Sequence, residues 1–132
     1  MAKFLKTYEI LYKKAKVDLN ASKVMLKSFE DGNIELDLEI IYFHFQQCIE
    51  KLIKSYLDYK GIKFPHTHDL KNLIDIMKDN NLLFIKDEYI DYIILLTQYA
   101  VEGRYSIIHD DLEDSYQYIN ILEELINNVN YI

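Results

Sequence analysis

The stretch ELDLEIIYFHFQQCIEKLIKSYLDY, residues 35–59, decides the fold class. Leu38, Ile41, Phe45, Cys48, Ile49, Leu52 and Tyr56 recur at steps of three and four, the spacing that places side chains on one side of an α-helix. A second line, His44, Gln47, Lys51, Lys54 and Asp58, is spaced 3, 4, 3 and 4 and falls on the opposite side of the same rod. Gly61 stands just past the end, where a chain leaving a helix can adopt left-handed geometry without a Cβ clash. The stretch therefore predicts a helix over about Glu35 to Tyr59, with one apolar side to cover.

Working outward, the same periodicity predicts its partners. Phe4, Tyr8, Leu11, Tyr12, Ala15 and Leu19 mark a helix from Lys3 to about Glu30, stopped at Asp31-Gly32-Asn33. Phe64-Pro65-His66-Thr67-His68-Asp69 reads as a turn, in which Thr67 or Asp69 can cap the helix that follows by accepting its free N–H groups. That helix is short, about Leu70 to Lys78, and ends at Asp79-Asn80-Asn81. A fourth runs from about Lys86 to Glu102 with Ile90, Ile93, Ile94 and Val101 inward, and Gly103 breaks it. A last helix, about Leu112 to Asn128, turns Tyr116, Ile119, Leu122 and Ile126 inward. Long amphipathic helices joined by short links predict an all-α fold, an antiparallel up-and-down four-helix bundle with one additional short helix, formed as one domain over residues 1–132. Twelve Tyr and six Phe exceed what such a core readily hides, so a second buried surface, and with it a homodimer, is expected.

Composition closes off other classes. Three Gly and one Pro supply neither the turns of a β-sandwich nor a glycine-rich phosphate loop. A single Cys excludes a disulfide framework and fits a reducing compartment. No apolar run approaches the roughly 18–20 residues of a membrane span, and the lysine-studded opening MAKFLKTYEILYKKAK does not read as a signal peptide. The expectation is a cytoplasmic protein with no membrane partner.

The net charge is −7, which speaks against general nucleic-acid affinity, DNA in particular. The charge is uneven, however. Residues 1–27 hold seven Lys against Glu9 and Asp18, a balance of +5, while the other 105 residues carry eight basic and twenty acidic groups, a balance of −12. The first helix is a basic strip on an acidic body, either a solvated face or a contact for an acidic partner or RNA backbone. Arginine occurs once, at Arg104, against fourteen lysines. Its planar fork of donors grips a phosphate in two places, which an ammonium cannot do.

Three constellations can carry chemistry. Arg104-Tyr105-Ser106-Ile107-Ile108-His109 is an Arg-x-x-x-x-His arrangement at a helix exit. His109 is a candidate general base for a ribose 2′-OH, and Arg104 a candidate stabiliser of the phosphorane formed as that oxygen attacks the adjacent phosphate. The products would be a 2′,3′-cyclic phosphate and a 5′-OH, with no metal required; the alternative is local packing of His109 and pairing of Arg104 with Asp110 or Asp111. The second is the line His44, Gln47, Lys51 and Lys54, with Glu50 beside it, readable as a solvated face or as a polar lining for a nucleotide or RNA. The third, His66-x-His68 with His44, His109 and Cys48, does not have the spacing of helical or knuckle zinc sites, and neither metal nor cofactor is expected.

These residues resemble a known family. Phe43-His44-Phe45-Gln46-Gln47-Cys48-Ile49-Glu50-Lys51-Leu52-Ile53-Lys54 is similar to the second-helix signature of HEPN domains. There, a Gln, a Glu-Lys pair and a further Lys follow an aromatic-His start. Thr67-His68-Asp69-Leu70 resembles the family's turn before the short helix, and Arg104 with His109 falls where the family carries its Arg-x(4–6)-His motif. The resemblance implies a helical bundle that dimerises around two Arg/His pairs. It also implies either a ribonuclease with Arg104 and His109 as its catalytic pair, often the toxin beside a nucleotidyltransferase antitoxin, or a non-catalytic nucleotide-binding adaptor of such an enzyme. Tyr105 stands where ribonuclease members usually carry a polar residue, which leans toward the adaptor, and Asp111 stands where one toxin subgroup carries a tyrosine modified by its partner.

Overall fold

A computed structural model describes residues 5–32, 37–100 and 112–129. These form five α-helices: α1, Thr7–Glu30; α2, Leu38–Tyr59; α3, Leu70–Asp79; α4, Asp87–Leu95; and α5, Leu112–Asn128. A single 3₁₀ turn, Leu96–Tyr99, continues from α4. The described residues contain no strand, so the fold is all-helical as the periodicity predicts.

Caps explain the boundaries. Asp37 opens α2 by accepting the Ile40 N–H at 3.0 Å, and Asp69 opens α3 by accepting that of Lys71 at 3.0 Å. Both helices close with the same device. After α2, Gly61 at φ +74° lets its N–H reach the Asp58 carbonyl while the Ile62 N–H reaches Leu57. After α3, Asn81 at φ +56° does the same, its N–H on Lys78 and that of Leu82 on Met77. A left-handed residue just beyond the helix satisfies carbonyls that would otherwise be orphaned, and Asn is the commonest substitute for Gly there.

Helix α2 is the centre of the molecule. It touches α1 along its length and also meets α3, α5 and the 3₁₀ turn. Ile41, Phe45, Cys48, Ile49, Leu52, Ile53 and Leu57 are fully enclosed. An aromatic cluster binds its first half to the later elements: the Tyr42 ring stacks on Tyr99 at 5.1 Å and meets Tyr118 edge-on at 5.5 Å, while Phe45 stacks on Tyr118 at 5.7 Å. The phenol of Tyr118 donates to the Tyr92 carbonyl at 2.7 Å, and that of Tyr12 to the Ile126 carbonyl at 3.2 Å. Among the described residues four tyrosines thus sit in the core, which takes up part of the aromatic surplus seen in the sequence.

Two expectations are corrected. Helix α4 stops at Leu95 and tightens, so that Ile93, Leu96 and Tyr99, three residues apart, all turn inward. Thr97 in that turn uses its hydroxyl to accept the Leu70 N–H at 3.1 Å, tying the start of α3 to it. In α5 Leu122 and Ile126 are buried and Ile119 packs against the core, as the spacing predicts, alongside the buried Ser115, Tyr118, Ile121, Leu125 and Val129; of the four expected residues Tyr116 departs, being 45% exposed, and its phenol donates to Glu30 of α1. Ser115, fully buried, holds the inward place beside Tyr116 at the start of the helix. Val101 lies outside the described residues. Among them, no helix is long and apolar enough to cross a membrane.

Candidate functional site

The line His44, Gln47, Lys51 and Lys54 does not face open water. Two carboxylates, Asp18 of α1 and Glu50 of α2, are buried and gather it into two nodes. At the first, Asp18 Oδ1 meets His44 Nδ1 at 3.0 Å and Asp18 Oδ2 accepts from Lys51 Nζ at 2.5 Å. His44 and Lys51 are seven residues apart, two turns on one face, so both reach the same point on α1. The line Ala15, Asp18 and Ser22 is buried and short in side chain, which lets α1 lie close against α2. Ser22 adds a hydroxyl that donates to the Asp18 carbonyl at 3.0 Å.

At the second node, Glu50 Oε1 accepts from Gln46 Nε2 at 2.9 Å and lies 2.7 Å from His68 Nδ1, while Oε2 accepts from Lys54 Nζ at 3.2 Å. Gln46, fully buried, passes the chain on: its Oε1 accepts from Gln47 Nε2 at 2.7 Å. His68 comes from the link before α3, so the turn that caps α3 also supplies a ligand to the Glu50 carboxylate. Burial pushes the Glu50 carboxyl up, but the hydrogen bonds from Gln46 and His68, with the charge and hydrogen bond of Lys54, outweigh it and hold it below the ordinary glutamate value.

The arrangement is compensated in charge. Two carboxylates face two ammonium groups, with His44 and His68 adding positive charge only when protonated. A buried charge survives only with partners of this kind, and every polar atom of Asp18 and Glu50 named above has one. The four residues expected to line a nucleotide or RNA groove are therefore brought together, but with their cations engaged from below by acids. The sequence placed Glu50 beside the line and His68 among conceivable metal ligands; it did not join Asp18, Gln46 or His68 to the lysines. A signal for Asp18 was present: it is one of two acids among residues 1–27, and it falls on the Ala15 and Leu19 side of α1 rather than among the lysines.

Arg104 and His109 lie outside the described residues, as do Tyr105, Asp110 and Asp111. Of the residues weighed as metal ligands, Cys48 is fully enclosed on the apolar side of α2. Burial raises its thiol, the Asp18 charge adds to the rise, and Lys51 opposes it. Among the described residues, no group of three or more His, Cys, Asp or Glu is placed to hold a metal ion.

Compared with known proteins, residues 8–132 match the model of the HEPN domain. The chain belongs to the HEPN domain family. No curated protein and no solved structure matches it.

Proposed function

We propose that this HEPN domain is a metal-independent endoribonuclease, the toxin of a toxin–antitoxin pair. In this reading it acts in the cytoplasm as a homodimer of single-domain, up-and-down four-helix bundles. His109 takes the proton of a ribose 2′-OH, and that oxygen attacks the adjacent phosphate. Arg104 neutralises the charge that grows on the phosphate oxygens, and the 5′-oxygen departs, taking a proton from water to become the 5′-OH. One observation carries this reading over the nucleotide-groove alternative: Lys51 and Lys54 are each engaged by a buried carboxylate, at 2.5 and 3.2 Å. A phosphate at that line would have to compete with Asp18 and Glu50. The lone guanidinium, Arg104, then stands as the phosphate-binding group of choice. A nucleotidyltransferase is the proposed antitoxin.

The test is expression of wild type, Arg104→Ala and His109→Ala in a bacterium, scoring growth arrest and RNA ends. Wild type should arrest growth and leave cyclic-phosphate ends, and each variant should lose at least about a hundredfold in cleavage, the lower range for removing a general base or an oxyanion donor. Variants that cut RNA as fast as wild type would end the proposal. Tyr105 favours a second reading, a non-catalytic adaptor that binds nucleotide through Gln47, Lys51 and Lys54 for a nucleotidyltransferase. Calorimetry with nucleoside mono-, di- and triphosphates separates the two, since only the adaptor gives saturable heat that Gln47→Ala removes.

A further inference from the structure

The basic first helix is left unused by both readings, and its outer surface is not a plain solvated face. Ile10, Val17 and Val24 are 40%, 65% and 62% exposed, and they account for half of the large apolar side chains left exposed among the described residues. They are seven residues apart, so they form one straight line along α1. That line points away from the core, which takes Tyr12, Ala15, Leu19 and Leu26 of the same helix. Lys6, Lys13, Asn20 and Lys27 stand at the next heptad place, three residues after or four before each member, and Lys14 flanks the other side. Among the described residues, no acidic side chain pairs with Lys6, Lys13 or Lys14.

A cleft of about 370 Å³ adjoins this surface between α1 and α5. The buried Leu19 and Ile126 give it an apolar part, and Lys16, Asn20 and Asn127 give it a polar rim. Lys23, also on the rim, is paired with Glu123 across the mouth. The Lys16 ammonium lies 4.8 Å from the centre of the Tyr12 ring, with no carboxylate on it among the described residues.

We propose that the outer face of α1, with the adjoining α1/α5 cleft, docks an acidic amphipathic helix of a partner protein. An apolar line repeating every seven residues is the seam of helix-on-helix packing, and β-branched residues suit the core places of such a seam. The lysines beside it select acidic side chains on the partner. The cleft, apolar below with the Lys16 ammonium on an otherwise polar rim, accepts an anchoring side chain that is apolar with an anionic or polar tip. A second copy of α1 is disfavoured as occupant, because Lys6, Lys13 and Lys14 would be brought against a surface of the same charge, although Lys27 is paired with Asp31. A lipid surface is disfavoured because short valines replace the large Leu, Phe or Trp that embed in an interface. The inference is independent of Arg104 and His109.

The test is fluorescence anisotropy of the full chain with a labelled synthetic helix carrying leucine at its heptad core places and glutamate beside them. Saturable binding that weakens with salt is expected, because the flanking charges are screened. The double variant Val17→Asp/Val24→Asp should weaken it at least about tenfold, and Lys13→Glu/Lys14→Glu should do likewise while gaining affinity for a lysine-for-glutamate version of the helix. Circular dichroism confirms that these surface variants keep their fold. The proposal is overturned by absence of saturable binding, by unchanged affinity in Val17→Asp/Val24→Asp, or by equal binding of a helix whose leucines are serines. It is also overturned if anionic vesicles or a single-stranded RNA bind α1 more tightly than the acidic helix does.

Discussion

The lysines of α1 and those of α2 are the same side chain in two opposite situations. Lys51 and Lys54 are about 25% and 14% exposed and rest on the buried acids Asp18 and Glu50. Lys13 and Lys14 stand in solvent with no acidic partner among the described residues. An ion pair drawn partly out of water gains strength from the lower local dielectric but makes each member dependent on the other. A solvated lysine depends on nothing and stays available to a partner. The contrast shows that a charged residue in a helical signature cannot be assigned to binding until its neighbours on the next helix are known.

The largest break in this contrast is expected at Glu50. Glu50→Ala leaves Gln46 buried without its acceptor and Lys54 without its counter-ion, so chemical denaturation should show a loss of about 3–5 kcal/mol, the range for removing one member of a buried pair. Asp18→Asn should follow at about 1–3 kcal/mol, because the amide keeps the shape and one acceptor while His44 and Lys51 are partly solvated. A denaturation series against pH should report Glu50 separately. Its carboxyl is held below the ordinary value in the folded protein, so its stabilising contribution is complete above the ordinary glutamate value of the unfolded chain. It fades as pH falls through the lower folded value, and Glu50→Gln should flatten that part of the curve. The smallest effect is expected on the other side of the contrast: Lys13→Ala and Lys14→Ala should change stability by no more than about 0.5 kcal/mol. A larger loss there would mean that the α1 lysines are structural after all.

Much of the helical layout was legible in the sequence because apolar periodicity is local. The ends of α2, α3 and α5 agree with Gly61, Asn80-Asn81 and the last apolar step. Departures arose where distant residues decide the outcome. The tight turn after Leu95 carries Thr97, which meets the start of α3, 27 residues away in the chain. At the start of α5 the inward place is held by Ser115, which no hydrophobic pattern marks as buried, while Tyr116 faces out. The polar line on α2 was found, but its meaning depends on Asp18, 33 residues from Lys51. Pairing across that distance is a property of packed helices and leaves no trace in spacing. Arg104 and His109 were legible as a motif only, and their chemistry rests on the experiments above.

Cys48 gives the molecule a built-in clock. It is the sole thiol, fully enclosed at the middle of the central helix, and its surroundings oppose the thiolate. A maleimide cannot reach it, and an unionised sulfhydryl is a poor nucleophile, so labelling must wait until α2 comes away from its neighbours. The speed of that single alkylation therefore measures how often the heart of the protein breathes, with no engineered probe.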